Sequence, residues 1–251
     1  MAEQKTAAAT TPDVIERARG FWAANSKKII IIGSILIVLA GGWLGYKYMY
    51  KLPQEREAND KMFAGEKLFA KMAQMGNYSK DSVNILLNGG NLEGVQITGM
   101  LKIISNYGST DAGNRAEYIA GACYLQLKDF DKAIKYLKNF DGNGADQVQS
   151  KADILLGHAY AEKKNNDEAL SYYKKAASVL SDKDAGQKVV ALFMVADFQH
   201  YLGKDKDAIE TLQDIKDNHY AGLIKADVTA QEPAYNIDDV DKFLARLGVT
   251  K

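Results

Sequence analysis

Hydrophobic and polar positions follow two patterns along this chain, one unbroken and one helical. The unbroken pattern is Ile29 to Tyr46, IIIIGSILIVLAGGWLGY, eighteen residues without a charge. At about 1.5 Å rise per residue such a helix is ~27 Å long, close to the ~30 Å hydrocarbon core of a bilayer. Lys27 and Lys28 close one end, and Trp43, Tyr46, Tyr48 and Tyr50 crowd the other with Lys47 and Lys51 among them. Amphipathic rings and snorkelling amines in those places mark membrane–water interfaces. The pattern predicts an uncleaved transmembrane anchor over 29–50. A buried core helix and a cleaved signal peptide are the alternatives. The first would normally carry polar positions, and the second has a shorter apolar run and a shorter lead than the 28 residues here.

The lead, 1–28, falls in two parts. Met1 to Thr11 is polar and Ala/Thr-rich, a composition that favours disorder. After Pro12-Asp13, the residues Val14, Ile15, Ala18, Phe21 and Trp22 share one helical face, with Glu16, Arg17 and Arg19 on the other. Such a helix either lies in the membrane interface or simply extends the anchor.

Beyond Leu52-Pro53 the pattern becomes polar and helical through 251. A first stretch carries Met62, Phe63, Leu68, Phe69, Met72 and Met75. Asn88-Gly89-Gly90-Asn91 breaks it. A second helical stretch is expected from Val95 to Tyr107. A repeat follows. Gly121, Tyr124 and Ala133 recur as Gly157, Tyr160 and Ala169, then as Ala196, Gln199 and Ala208, with periods of 36 and 39 residues. Large residues stand four after each alanine, at Leu137, Tyr173 and Leu212, and the seventh positions are Phe140, Ala176 and Ile215. Two antiparallel helices approach closely only where side chains are small. The expectation is therefore that Gly or Ala in each first helix faces the alanine of the second, with the tyrosine beside them. Polar turns such as Lys128-Asp129-Phe130-Asp131-Lys132 join the helices of each pair. Repeats are expected at 114–140, 150–177 and 189–216, and a cap helix near 238–248. These offsets resemble the tetratricopeptide repeat, though the period exceeds the usual ~34 and the closing proline is missing. The fold class is thus all-α: an N-terminal transmembrane helix followed by a tetratricopeptide-like α-solenoid.

Composition narrows the function classes. The 251 residues hold 32 basic and 32 acidic side chains. The lead has five of the basic and three of the acidic ones, leaving 27 against 29 after it. Nothing is polybasic, so no nucleic-acid partner is expected. Basic residues are balanced about the anchor, Arg17, Arg19, Lys27 and Lys28 against Lys47, Lys51, Arg56 and Lys61, so charge alone does not orient it. The single cysteine, Cys123, rules out an intrachain disulfide and reads as a buried small hydrophobe rather than a nucleophile. His158, His200 and His219 lack partners at metal-ligand spacing, so no metal, cofactor or catalytic residue is expected.

If the repeats stack, the first helices line a concave face. Its candidate protein-binding residues are Arg115, Tyr118 and Gln126, then Lys151, His158 and Glu162, then Phe193, Asp197 and His200, with Ala122, Ile154 and Val190 between them. A mixed aromatic, apolar and charged surface of this kind suits an extended or helical polypeptide, although such faces are often merely solvated.

The lead and anchor carry a second resemblance. The order Val14-Ile15-Glu16-Arg17-Ala18-Arg19-Gly20-Phe21-Trp22, then Asn25-Ser26-Lys27-Lys28, the span, and Gly42-Trp43-Leu44-Gly45-Tyr46-Lys47-Tyr48 resembles the start of the YfgM-like ancillary subunits of the SecYEG translocon. In that family an amphipathic helix turns through an Asn-x-Lys corner into the span. The resemblance implies a bacterial inner-membrane protein with a cytoplasmic N-terminus and a periplasmic repeat domain over 51–251. Its partners would be SecYEG, a membrane-anchored SurA/PpiD-type chaperone and membrane lipid. The implied role is an adaptor in protein transport that holds a chaperone or an emerging chain. The alternative is an anchored scaffold for cell-envelope or outer-membrane assembly. An enzyme is not expected.

Overall fold

The structure is a computed structural model that describes residues 12–219, 235 and 237–249; the tail Met1–Thr11 lies outside them. The chain forms two compact units divided between Gln54 and Glu55.

In the first unit, α1 (Pro12–Gly45) is one helix that joins the amphipathic lead to the apolar run. The corner implied at Asn25-Ser26-Lys27 is absent. No Gly or Pro interrupts residues 21–32, and Asn25 Nδ2 donates to Phe21 O at 3.1 Å within the helix. A π-helical segment, Tyr46–Lys51, follows. Its cause is Pro53, which has no N–H for the carbonyl four residues back and whose ring would clash there. The wider turn accommodates the ring, and Leu52 N–H donates to Lys47 O instead. The most apolar eighteen-residue window of this helical stretch has mean hydropathy 2.2, and none of it is buried.

The second unit is a chain of paired helices with one short two-stranded hairpin near its start. It starts within α2 (Leu52–Met75) and continues through α3 (Lys80–Asn88), the strands β1 (Gly90–Leu92) and β2 (Val95–Ile97), and α4 (Met100–Tyr107). Three helix pairs follow: α5 (Asp111–Gln126) with α6 (Phe130–Asn139), α7 (Asp146–Glu162) with α8 (Asn166–Ser178), and α9 (Ala185–Tyr201) with α10 (Asp205–Asn218). A 3-10 turn, Asp182–Asp184, precedes α9, and α11 (Ile237–Arg246) closes the stack by burying Val240, Phe243 and Leu244. Each helix from α4 to α10 packs on the next, and α5 meets α7 as α7 meets α9, so the first helices form one layer. That is the nearest-neighbour architecture of a solenoid.

Two expectations for the start of this unit are corrected. Val95 to Ile97 is a strand, not helix: it pairs antiparallel with Gly90–Leu92 across a tight turn in which Glu93 (φ 53°) and Gly94 (φ 84°) are both left-handed. Such a turn matches the twist of paired strands, and the β-branched Val95 and Ile97 suit them. Only from Met100 does the helix begin. Phe63 and Met75 face solvent, while Met62 and Met72 are buried and Leu68 and Phe69 pack against the core.

The repeat spacing is explained at the glycines. A Cβ on Gly121 would lie 2.5 Å from Leu137 Cγ, and one on Gly157 would lie 2.5 Å from Tyr173 Cε1. The small residue of the first helix therefore makes room for the large residue four beyond the alanine, not for the alanine itself. Ala133, Ala169 and Ala208 are fully buried, as are Leu137, Tyr173 and Leu212 within a few per cent. The tyrosines pack beside these contacts. Tyr124 stacks on Tyr136 (5.4 Å, 6°) and Tyr160 on Tyr172 (5.4 Å, 9°). In the third pair the same two positions are Gln199 and Thr211, joined by a 2.8 Å hydrogen bond from the threonine hydroxyl.

Candidate functional site

The first helix of each pair ends in the same way. Lys128 (φ 61°), Lys164 (φ 59°) and Gly203 (φ 72°) are left-handed, and the amide after each reaches back to Tyr124 O, Tyr160 O and Gln199 O at 2.9 Å. These are Schellman closures. They bring the chain sharply round to the second helix and fix where the last turn of the first helix points. In the first pair, Asp129 then caps α6 by accepting from Lys132 N at 3.3 Å.

Those last turns border a groove of roughly 620 Å³ that runs across α5, α7 and α9. Gln126, His158, Glu162 and Asp197, four of the positions expected on an inner face, line it. Lys128, Lys164, Phe198 and Tyr201 line it as well. Tyr201 is 74 % exposed and was missed in favour of His200. The signal was present: Tyr201 stands five residues after Ala196, as Gln126 follows Gly121 and Glu162 follows Gly157. His200 is turned from the groove, with Nδ1 2.7 Å from Asp205 Oδ1 and its ring edge-on to Phe243.

The groove has an aromatic floor. His158 Nδ1 shares a 2.8 Å hydrogen bond with Tyr173 Oη, and Tyr173 packs edge-on against Phe198, which stacks on Tyr201 at 5.5 Å. Burial lowers the His158 pKa from its ordinary value, opposed by the charge of Glu162. Burial likewise pushes the Tyr173 hydroxyl up to about 12, helped by Asp197 and Glu162. The neutral forms are therefore favoured at the floor, with lysines and carboxylates at the rim. Apolar and aromatic floors with sparse, well-placed polar groups fix a ligand's orientation.

The remaining predicted residues lie apart from this groove. Arg115 and Tyr118 line a smaller apolar hollow of roughly 230 Å³ with Glu66, Phe69, Phe140 and Val148. Arg115 is tied down, donating from Nε to Glu66 at 2.8 Å and from an η nitrogen to Asn59 Oδ1 at 2.7 Å. Phe193 sits beyond Asp197 on α9, under the ring of Tyr235. Lys151 is partly buried on α7 and lines neither the groove nor the smaller hollow.

Among the described residues, no group of three or more His, Cys, Asp or Glu side chains could hold a metal ion. Cys123 is fully buried, and burial pushes its thiol up to about 12, far from a reactive thiolate.

The geometry defines a solenoid of paired helices with an open groove across its first helices. Comparison with protein families agrees on the repeat: the tetratricopeptide repeat matches residues 115–140 and 154–179. The chain thus contains tetratricopeptide repeats, a scaffold for protein–protein interaction that is not typically catalytic. Curated proteins and solved structures give no significant match. Among the described residues, one helical stretch is long and apolar enough to cross a membrane, a property that signal sequences and core helices can share.

Proposed function

We propose that this chain is a single-pass adaptor of the bacterial inner membrane, with 1–28 in the cytoplasm, 29–50 in the bilayer and the repeats of 51–251 in the periplasm. Its open groove would grip a polypeptide beside the SecYEG channel, either a membrane-anchored SurA/PpiD-type chaperone or the emerging chain. The observation that carries this reading is the groove across three successive first helices, with an aromatic floor and rim charges of both signs. Tethering such a groove in the membrane raises its effective concentration near other membrane-bound partners without any new contact. The residue order of the lead and span supports the translocon placement. The unbroken α1, which lacks the corner found in that family, favours keeping the envelope-assembly scaffold as a second reading.

The test is photo-crosslinking in living cells from a benzophenone amino acid at Gln126 or Glu162, with Lys174 on the exposed side of α8 as the control. Adducts with export-channel subunits, the anchored chaperone or nascent chains are expected from the groove positions alone. Adducts with wall-synthesis or outer-membrane assembly proteins would replace the first reading by the second. Equal labelling from Lys174 would remove the groove from both.

A further inference from the structure

Charge is spread unevenly over a chain that is neutral overall. Residues 17–54 hold six basic side chains, Arg17, Arg19, Lys27, Lys28, Lys47 and Lys51, and no acidic one, which leaves 26 basic against all 32 acidic side chains elsewhere. The apolar run is therefore flanked at both ends by positive charge that its own stretch of chain does not balance.

The C-terminal end of that run is built as a collar. Trp43, Lys47 and Lys51 stand four apart and follow one stripe of the helix. Lys47 Nζ lies 4.9 Å from the centre of the Trp43 ring and 5.9 Å from that of Tyr48, so aromatic faces hold the ammonium in place of a carboxylate. Tyr46 stacks on Tyr50 at 5.6 Å, and these four rings are each more than half exposed. The next carboxylate along the chain, Glu55, is already engaged: its two oxygens accept from Asp111 N and Ala112 N at 2.8 and 3.1 Å. A lysine ammonium carries three donors, and a ring on one side leaves the others open to an anion. With the apolar run in a bilayer, rings and amines of this kind lie at headgroup depth, where phosphate is the abundant acceptor.

We propose that the collar Trp43–Lys51 is a site for an anionic phospholipid, whose phosphate Lys47 and Lys51 hold while Trp43 and the tyrosines cover the upper part of its acyl chains. This rests on reading 29–50 as a membrane anchor. The occupant follows from charge: a zwitterionic headgroup brings its own cation beside the phosphate and sets it against the lysines, whereas an anionic headgroup supplies the negative charge that residues 17–54 lack. Attraction to anionic lipid is worth about fivefold for each lysine near the surface, and salt screens it.

Trp22 and Trp43 are the chain's two tryptophans, so Trp22→Phe leaves Trp43 as the sole one, at the collar itself. The full chain with this substitution is reconstituted in bilayers of phosphatidylcholine and phosphatidylglycerol, one or the other dibrominated near the top of its acyl chains to quench Trp43. Brominated phosphatidylglycerol should quench as though enriched at least about fivefold beside Trp43 over its share of the bilayer. Salt at about 1 M should cut that enrichment. Lys47→Gln with Lys51→Gln should bring it close to none, while Lys27→Gln with Lys28→Gln, at the other end of the run, should leave it unchanged. The proposal is overturned if the two lipids quench in proportion to their amounts, if the Lys47→Gln, Lys51→Gln chain keeps the enrichment, or if the Lys27→Gln, Lys28→Gln chain loses it equally. Quenching by neither lipid would show that the run does not enter the bilayer and would defeat the anchor reading together with the site. Equal quenching by both would defeat the site alone.

Discussion

Lys128 and Lys164 hold the backbone in the left-handed region, where a Cβ is crowded by the following carbonyl, while the equivalent residue of the third pair is Gly203. Replacing either lysine by glycine should remove that strain at the cost of a more flexible unfolded chain, a net stabilisation of about 0.5–1 kcal/mol each. Gly203→Lys should lose a similar amount, and urea unfolding of the three variants checks the set. His158 supplies a pH dependence with a definite sign. Burial depresses its folded-state pKa, so above the unfolded value of ~6.5 the imidazole is neutral in both states and its stabilising part is fully present. As pH falls below that value the unfolded chain takes up the proton first, and stability is lost until the folded pKa is passed. The stability of wild type relative to His158→Gln should therefore decline from pH 7 to pH 5. A difference that is flat, or that grows on acidification, would show that burial does not dominate this site.

Helix pairing was the part of the fold most legible from residue spacing, because the small-to-large contact is dictated by chain geometry. Gly121 with Leu137 and Gly157 with Tyr173 recur at one offset, and each glycine leaves no room for a Cβ. Gly157→Leu should overpack the Tyr173 ring, which is aromatic and buried rather than a flexible end, and destabilise by at least about 1–3 kcal/mol. A thermal unfolding midpoint that barely moves would mean the α7–α8 register is wrong. Features set by distant residues were not legible. Glu55 of α2 accepts from Asp111 N at 2.8 Å and Ala112 N at 3.1 Å, placing a carboxylate on the N-terminus of α5. No local pattern announces a cap contributed from 56 residues away. Glu55→Gln should destabilise by about 0.3–1 kcal/mol, less in high salt, which chemical denaturation at two ionic strengths would measure. The hairpin 90–97 was obscured differently: Asn88-Gly89-Gly90-Asn91 reads as a break, and the strands on either side of Glu93-Gly94 are too short to show alternation. The groove was read in part, because its positions follow the repeat offsets, while Lys128 and Lys164 line it through the turn conformation.

At the scale of the whole chain, the apolar face of α1 has no protein partner among the described residues of its own unit. Ile37 is 73 % exposed and Val38 72 %, and the neighbouring Leu36 and Leu39 are exposed as well. So much uncovered aliphatic surface in one helix would drive association in water, and a bilayer covers it without further protein. A core helix needs a protein surface to cover it, whereas a signal sequence would be removed after export. These readings separate when charge is placed at the centre. Leu36→Arg with Leu39→Arg should each oppose insertion by about 2.5–3.5 kcal/mol, enough together to release the chain from the membrane fraction. The repeats should still give a helical spectrum with a cooperative melt, because each helix from α4 to α10 packs on the next. The unaltered chain should remain in carbonate-washed membranes at its full length, which excludes cleavage. Protease added to spheroplasts should remove the repeats, and inverted vesicles should protect them and expose only the lead. Basic residues balanced on the two sides of the span leave orientation to the large difference in size between its flanks, since long domains cross largely regardless of charge. Protection in spheroplasts with digestion in inverted vesicles would reverse the orientation and remove the groove from the periplasm, while leaving its geometry intact.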